Sequence, residues 1–353
     1  MRILQLNFER GWRGGERQTL LCMKQFRDAG HHAALLARRG QPLARAARAE
    51  GFQVFEAATP AALCWQLLAK GRGFDVLHAQ TANTLTWLAL LKGLLRRPIV
   101  FTRRTAFPVP PERQDRTRWK WRRADLLVAI SQAAAAEPRR LGLPVAVIPS
   151  AIAARPADLA HAKAFAQKFG LQGRRLLATA AALTREKDPC TLIRAVHALR
   201  QTRDDFVFVH LGAGGDQEAA AQALVDELGL QAHYLFAGFE PHAEDLYRLM
   251  DVFVSSSRQE ALGTSVLDAF LYSVPVVSTD AGGLAELLAD GRGVLCGVGD
   301  HQALAEGMAR VLDDAALRGE LVRRAHDYVT DRHDVARMAR RYLDAYKQLL
   351  SGG

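Results

Sequence analysis

The sequence predicts an α/β protein built from two Rossmann-like, doubly wound domains, and three observations carry that reading. Short apolar runs alternate with longer helix-like stretches along most of the 353 residues, the pattern of parallel strands covered by helices on both faces. The alternation is interrupted by a segment with two prolines, 146–156, and then begins again. Several apolar runs end in glycine turns, at the strand ends where such sheets bind ligands.

In chain order, strands are expected at 2–7, 33–37, 75–78, 98–102 and 126–131, with helices at 16–29, 42–51 and 84–95 between them. These make a first domain over 1–155. An Ala/Lys/Gln-rich helix running to Gly170 opens a second domain over 156–332, with strands at 176–180, 205–212, 233–238, 251–255 and 274–278. The last segment, 333–353, contains an amphipathic helix over 334–350 that offers Met338, Tyr342, Leu343, Tyr346, Leu349 and Leu350 for packing.

Composition narrows the function. A hydrophobic fraction of 49% and a charged fraction of 24% fit a soluble globular chain. The opening run 1–10 is too short an apolar stretch for an export signal, and the apolar patch 85–95 is broken by Lys92 and Gly93, short of a bilayer span. Cys22, Cys64, Cys190 and Cys296 lack metal or redox spacing, so a reduced, cytoplasmic setting is expected. No D-x-D pair and no H-E-x-x-H pair occur, and no metal site is expected. Charge is uneven: residues 1–150 carry 25 Lys and Arg against 10 Asp and Glu, and residues 151–353 carry 22 against 27. The basic first half points to an anionic surface or ligand.

The most informative stretch is 251–268. A buried strand, DVFVS, leads to a loop holding Glu260, then to Leu262, Gly263, Thr264 and Ser265, and a helix follows with Asp268 one turn in. A helix opening there presents unpaired N–H groups and the positive end of its dipole, which suits a diphosphate. Glu260 is placed to accept from sugar hydroxyls and Asp268 from a ribose diol. The same residues also fit a plain capped helix on a solvated loop.

The segment resembles the E-x7-E signature of family-4 retaining glycosyltransferases, which have the two-domain GT-B fold, and 274–286 is similar to that family's next strand and Gly-Gly turn. The second acid here is Asp268, one methylene shorter than the usual Glu. The loop 180–189 resembles the family's Gly-Arg-Leu-x-x-x-Lys-Gly. Lys187 matches the lysine, Ala182 stands at the arginine, and Arg185 follows three residues later, so either Arg185 substitutes or Lys187 works largely alone. The turn 210–216, with Gly212, is similar to the family's Val-Gly-x-Gly-Pro and departs from the G-x-G-x-x-G of nicotinamide sites. Gly14 and Gly15, between the first strand and helix, resemble the family's Gly-Gly-x-Glu loop facing the donor phosphate across an interdomain cleft. His78 matches the first His of a His-x-His segment, although a lone sheet-end His is more often structural. Arg104 stands where many relatives carry His; with Arg103 it suits an acidic acceptor such as a phosphorylated sugar.

Residues 113–123 gather arginines around two tryptophans. Trp119, Lys120, Trp121, Arg122 and Arg123 are expected to meet an anionic leaflet, with a solvated helix and core tryptophans as the bland alternative. No nucleic-acid motif accompanies them. The resemblance implies a GT-B protein whose second domain binds a nucleoside-diphosphate sugar through Lys187, Arg185, Glu260 and the 262–268 turn, and whose C-terminal helix returns to the first domain. It implies metal-independent, retaining transfer of a hexose-type sugar with no cofactor beyond that co-substrate. The acceptor is expected to be an anionic or phosphorylated envelope glycan or lipopolysaccharide core, met at the cytoplasmic face of the inner membrane. Two other readings stay open: a GT-B nucleotide-sugar epimerase, and a basic non-enzymatic protein that binds membrane or nucleic acid.

Overall fold

The computed structural model describes residues 1–352 and divides into two compact units: Met1–Ile152 with the C-terminal segment from His333, and Ala153–Arg332. The first unit runs β1 (Arg2–Asn7), α1 (Gly14–Asp28), β2 (His32–Arg38), α2 (Pro42–Ala49), β3 (Gln53–Ala57), α3 (Pro60–Lys70), β4 (Val76–Ala79), α4 (Ala82–Leu95), β5 (Ile99–Arg103), α5 (Gln114–Trp121), β6 (Leu126–Ala129), α6 (Gln132–Arg140) and β7 (Ala146–Val147). The second runs α7 (Leu159–Lys168), β8 (Arg175–Ala180), α8 (Pro189–Arg200), β9 (Phe206–Leu211), α9 (Glu218–Glu227), β10 (Tyr234–Gly238), β11 (Val252–Ser255), α10 (Thr264–Leu271), β12 (Val276–Thr279), α11 (Gly283–Leu288), β13 (Val294–Cys296), α12 (His301–Asp313) and α13 (Ala315–Arg332). The chain then returns to the first unit as α14 (Val335–Ser351).

Both sheets are parallel. The first has strand order β3-β2-β1-β4-β5-β6-β7 and the second β10-β9-β8-β11-β12-β13. Central strands such as β4, β5 and β9 are buried along their whole length, as strands covered on both faces must be. Strand order reverses once in each sheet, between β1 and β4 and between β8 and β11. In folds of this kind the loops leaving such a pair of strands diverge to opposite sides, and ligands are held at the carboxyl edge between them.

Helix ends follow local chemistry. Thr81 accepts from the Thr84 amide to start α4, which stops at Arg96 in the left-handed region (φ 50). Asp334 caps α14 through the Arg337 amide at 2.7 Å. That helix packs on α1 and buries Met338, Tyr342, Leu343 and Tyr346, whereas Leu350 is exposed. The strand β3, its following helix α3, and the short β7 and β13 were outside the sequence expectation. So was the helix α6, whereas α5 falls on the segment 113–123, for which a helix is the alternative reading.

Candidate active site

In the second unit the loops after β8 and β11 face each other at the point where strand order reverses. The β8 loop is held in shape from two sides. On one side, the Leu183 amide donates to Gly214 O at 3.0 Å, the Gln217 amide to Leu183 O at 2.9 Å, and the Arg185 amide to Asp216 Oδ1 at 3.1 Å. On the other, the Arg258 amide donates to Glu186 O at 2.8 Å and Ser256 Oγ lies 2.9 Å and 3.0 Å from the carbonyls of Lys187 and Asp188. Lys187 therefore leaves a loop with little freedom.

Its ammonium is paired with Glu260 Oε2, both side chains being mostly buried. Glu260 is fixed in turn: Oε1 accepts from the Ala261 amide at 3.1 Å and its backbone carbonyl from Gly283 at 2.9 Å. Gly283 is required there, since a Cβ would stand 2.3 Å from Ala261 O. Gly263 begins α10 at φ 95, where a side chain would meet Leu284 Cδ2 at 2.6 Å. The amides of Gly263, Thr264 and Ser265 have no acceptor among the described residues, so the helix opens with donors free beside Glu260. Leu262 is buried beneath this turn, and Asp268, one turn further, is only 5% exposed.

Gly212 lies against the same loop in an unexpected way. At φ 146 it approaches the protein's own backbone, and a Cβ would fall 1.9 Å from Ala181 O. It shapes the Lys187 loop and presents no side-chain space to a ligand. Next to it, His210 is buried, with Nε2 3.0 Å from Ala181 O and Nδ1 2.7 Å from the Tyr234 hydroxyl. Burial lowers its pKa to about 4, so the ring is neutral; Nε2–H donates to Ala181 and Nδ1 accepts from Tyr234.

Sequence reasoning also missed Asp188 and Arg258. Asp188 sits at the position of the family pattern's glycine, in the left-handed region (φ 47), and caps α8 through the Thr191 amide and hydroxyl. Its Oδ2 also accepts from Arg258 Nε at 2.7 Å. The Asp-Pro step was a readable signal for a helix start, but the Arg258 contact spans 70 residues and has no local signature. Arg185 projects outward, exposed, and its guanidinium has no partner among the described residues.

The first unit places a second cation at its own switch point. Glu16 is buried and fixes the turn before α1, with Oε1 accepting from Asn7 Nδ2 and Oε2 from the Arg13 amide, each at 3.0 Å. This brings Gly14 and Gly15 to the end of β1; a Cβ on Gly15 would sit 3.5 Å from Arg104 Cδ. Arg104 is half-buried, donating to Gln80 Oε1 at 2.6 Å and to Ser150 Oγ at 3.1 Å.

Three acceptor and membrane expectations change. His78 is fully buried, with Nδ1 2.6 Å from the Tyr346 hydroxyl and Nε2 2.8 Å from Thr102 Oγ1; burial and the Arg104 charge lower its pKa to about 3. It ties α14 to the sheet and meets no acceptor. Arg103 points into the core, donating to Ala134 O at 2.8 Å and stacking 5.1 Å from the Trp121 ring. Trp121 is therefore a core residue. Lys120 is half-buried, 3.3 Å from Ala82 O, while Trp119, Arg122 and Arg123 are exposed, with Arg123 over the Trp119 ring.

Residues 12–154 match the family model described as Glycosyltransferase Family 4, and residues 162–328 the model described as Glycosyl transferases group 1. The chain belongs to the family-4 glycosyltransferases of GT-B fold. It is 31% identical over 163 residues to the lipopolysaccharide core biosynthesis glycosyltransferase LpsE of Rhizobium meliloti, a match covering 46% of this chain and 45% of that one. It is 30% identical over 213 residues to the 2-deoxystreptamine glucosyltransferase of Streptomyces kanamyceticus, covering 59% and 54%. The chain thus spans about half the length of these curated relatives. Among solved structures, Anabaena HepE in complex with UDP and glucose superposes with a TM-score of 0.88 at 20% identity, over 98% of this chain and 99% of that one. That likeness is one of fold. The paired Lys187 and Glu260 lie within the residues matched by the second of these models.

Proposed function

We propose that the chain transfers a sugar from a nucleoside-diphosphate sugar to an envelope-glycan or lipopolysaccharide-core acceptor, with retention at the anomeric carbon and without a divalent metal. The observation that carries this is the Lys187–Glu260 pair at the switch point of the second unit, beside the free amides that open α10. A bound donor divides that pair. Lys187 turns to the β-phosphate, the α10 amides receive phosphate oxygens, and Glu260 accepts from a sugar hydroxyl. Asp268 is the ribose partner in this reading, and Arg185 or Arg258 adds positive charge at the mouth.

Transfer breaks the bond between the anomeric carbon and the diphosphate oxygen and forms one to the acceptor oxygen on the same face. The departing phosphate oxygen takes the acceptor proton. Fixed cations and helix amides stabilise the charge that gathers on the diphosphate, so no side chain is alkylated. Support for the donor class comes from HepE, solved with UDP and glucose, and for the acceptor class from the similarity to LpsE. Arg104 is the cation proposed for a phosphorylated acceptor, and the protein is proposed to work at the cytoplasmic face of the inner membrane. Thermal shifts against a panel of nucleotide sugars test the reading: a donor present at 100 times its Kd stabilises by about 2.7 kcal/mol. A panel with no stabilising member, or transfer abolished by chelator and restored by magnesium, contradicts it.

A further inference from the structure

The helices α3 and α4 pack side by side on one face of the first sheet, and each is apolar on the side turned away from it. On α3, Leu63 and Leu67 face the core while Trp65 and Leu68 lie opposite, 64% and 46% exposed. On α4, Leu85 and Leu88 face the core while Leu90 and Leu94 are 58% and 53% exposed. Spacing of three to four residues puts each exposed pair on a single face. A solvated helix carries charge there: α13, by contrast, exposes the pairs Arg323–Asp327 and Arg324–Glu320. Neither α3 nor α4 contains one Asp or Glu.

Cations border this apolar strip. Between residues 57 and 111 the chain has seven Lys and Arg and one acid, Asp75. Lys70 and Arg96, at the ends of the two helices, are exposed with no ion-pair partner among the described residues. Arg72 and Arg97 are tied in sequence to the same end, Arg72 Nε donating to Leu94 O at 2.8 Å and Arg97 Nη2 to Arg72 O at 2.8 Å. Across α4 stands α5, with Arg116 and Arg122 also exposed.

We propose that the outer faces of α3 and α4 are a docking surface for an anionic lipid bilayer. Leucines and a tryptophan enter the headgroup region, and the flanking cations meet lipid phosphates. The inner faces of both helices pack on the core, and no helix among the described residues is long and apolar enough to cross a membrane, so the proposed contact lies on the bilayer surface. This deepens the membrane part of the proposed function and moves its centre from Trp119 to α3 and α4; it does not depend on the donor chemistry.

Co-sedimentation with phosphatidylcholine vesicles containing phosphatidylglycerol tests it, with pure phosphatidylcholine vesicles alongside and ionic strength varied. The wild type should bind the anionic vesicles, more weakly as salt rises. Leu90→Glu with Leu94→Glu should lower the bound fraction more than about tenfold, and Trp119→Ala less than about threefold. Because Trp65 is the most exposed member, Trp65→Ser provides a second variant that leaves the core intact. Nucleotide-sugar thermal shifts in the same samples separate the two readings: vesicle binding without donor stabilisation leaves this surface standing and removes the donor reading. The proposal is overturned if the wild type ignores anionic vesicles at every salt concentration, or if the leucine and Trp65 variants bind as it does. It is equally overturned if the strip proves to be a self-association face, with a wild-type dimer that Leu90→Glu/Leu94→Glu turns into a monomer while vesicle binding is absent.

Discussion

Gly212→Ala is the sharpest test of how the Lys187 loop is held. A methyl group there would fall 1.9 Å from Ala181 O and 2.7 Å from Ala181 C, both backbone atoms, so the loop must retreat by at least about 1.5 Å to restore ordinary contact. Two hydrogen bonds stitch the loop at that point, Ala181 N to Leu211 O at 2.9 Å and Leu183 N to Gly214 O at 3.0 Å. Losing them costs about 1 kcal/mol each. Holding alanine at φ 146 costs roughly a further 1–3 kcal/mol. The expected destabilisation is on the order of 3–5 kcal/mol, a large part of the roughly 5–15 kcal/mol that a domain has. Gly229→Ala is the internal control: it also has positive φ (63), but nothing lies within 4 Å of its Cβ, so about 1 kcal/mol is expected. Urea unfolding gives both numbers, and donor-induced thermal shift reports the loop, since Lys187 rides on it. Equal urea midpoints for the two variants, or wild-type donor stabilisation in Gly212→Ala, would show that Gly212 does not hold the Lys187 loop.

The remaining predictions concern charge. Lys187→Met should cost about 2–4 kcal/mol of transition-state stabilisation, as loss of one electrostatic anchor does, whereas Arg185→Met, whose guanidinium touches nothing, should cost less than about 1 kcal/mol in kcat/KM; equal effects would reverse the assignment. His210 and His78 are held near 4 and 3 against an ordinary 6.5, so the unfolded chain binds more protons between those values. Their contribution, on the order of 3 kcal/mol for His210 and 5 kcal/mol for His78, is complete above pH 6.5 and is lost as pH falls toward 4 and 3. His210→Gln should flatten that slope in urea midpoints measured from pH 7 to 4; an unchanged slope would show that the ring is not buried neutral.

The parallel sheets and the turns that follow β8 and β11 were legible because buried strands, glycine turns and helix starts are local signals. Where one residue's side matters, the helix or strand period holds the answer. Trp119 and Trp121 are two apart on α5 and so point to different sides; one is exposed and the other lies under Arg103. Arg103 and Arg104 are consecutive at a strand end and alternate in the same way, one into the core and one toward the α1 turn. Other features have no local trace. His78 finds its partner on α14, 268 residues away, and Asp188 finds Arg258 across 70. Both depend on strand order, which no single stretch of sequence encodes. The strand β13 was missed because it is three residues long and carries one exposed leucine, Leu295.

The central claim is that Glu260 and Lys187 hold a nucleotide-sugar for retaining transfer, and proton NMR of the product tests it most directly. With an α-linked donor selected from the thermal-shift panel and a core-oligosaccharide acceptor, retaining transfer by the wild type gives an α-configured product. Glu260→Gln should reduce turnover by at least about 100-fold in a folded protein. A β-configured product, or wild-type turnover by Glu260→Gln, would contradict it.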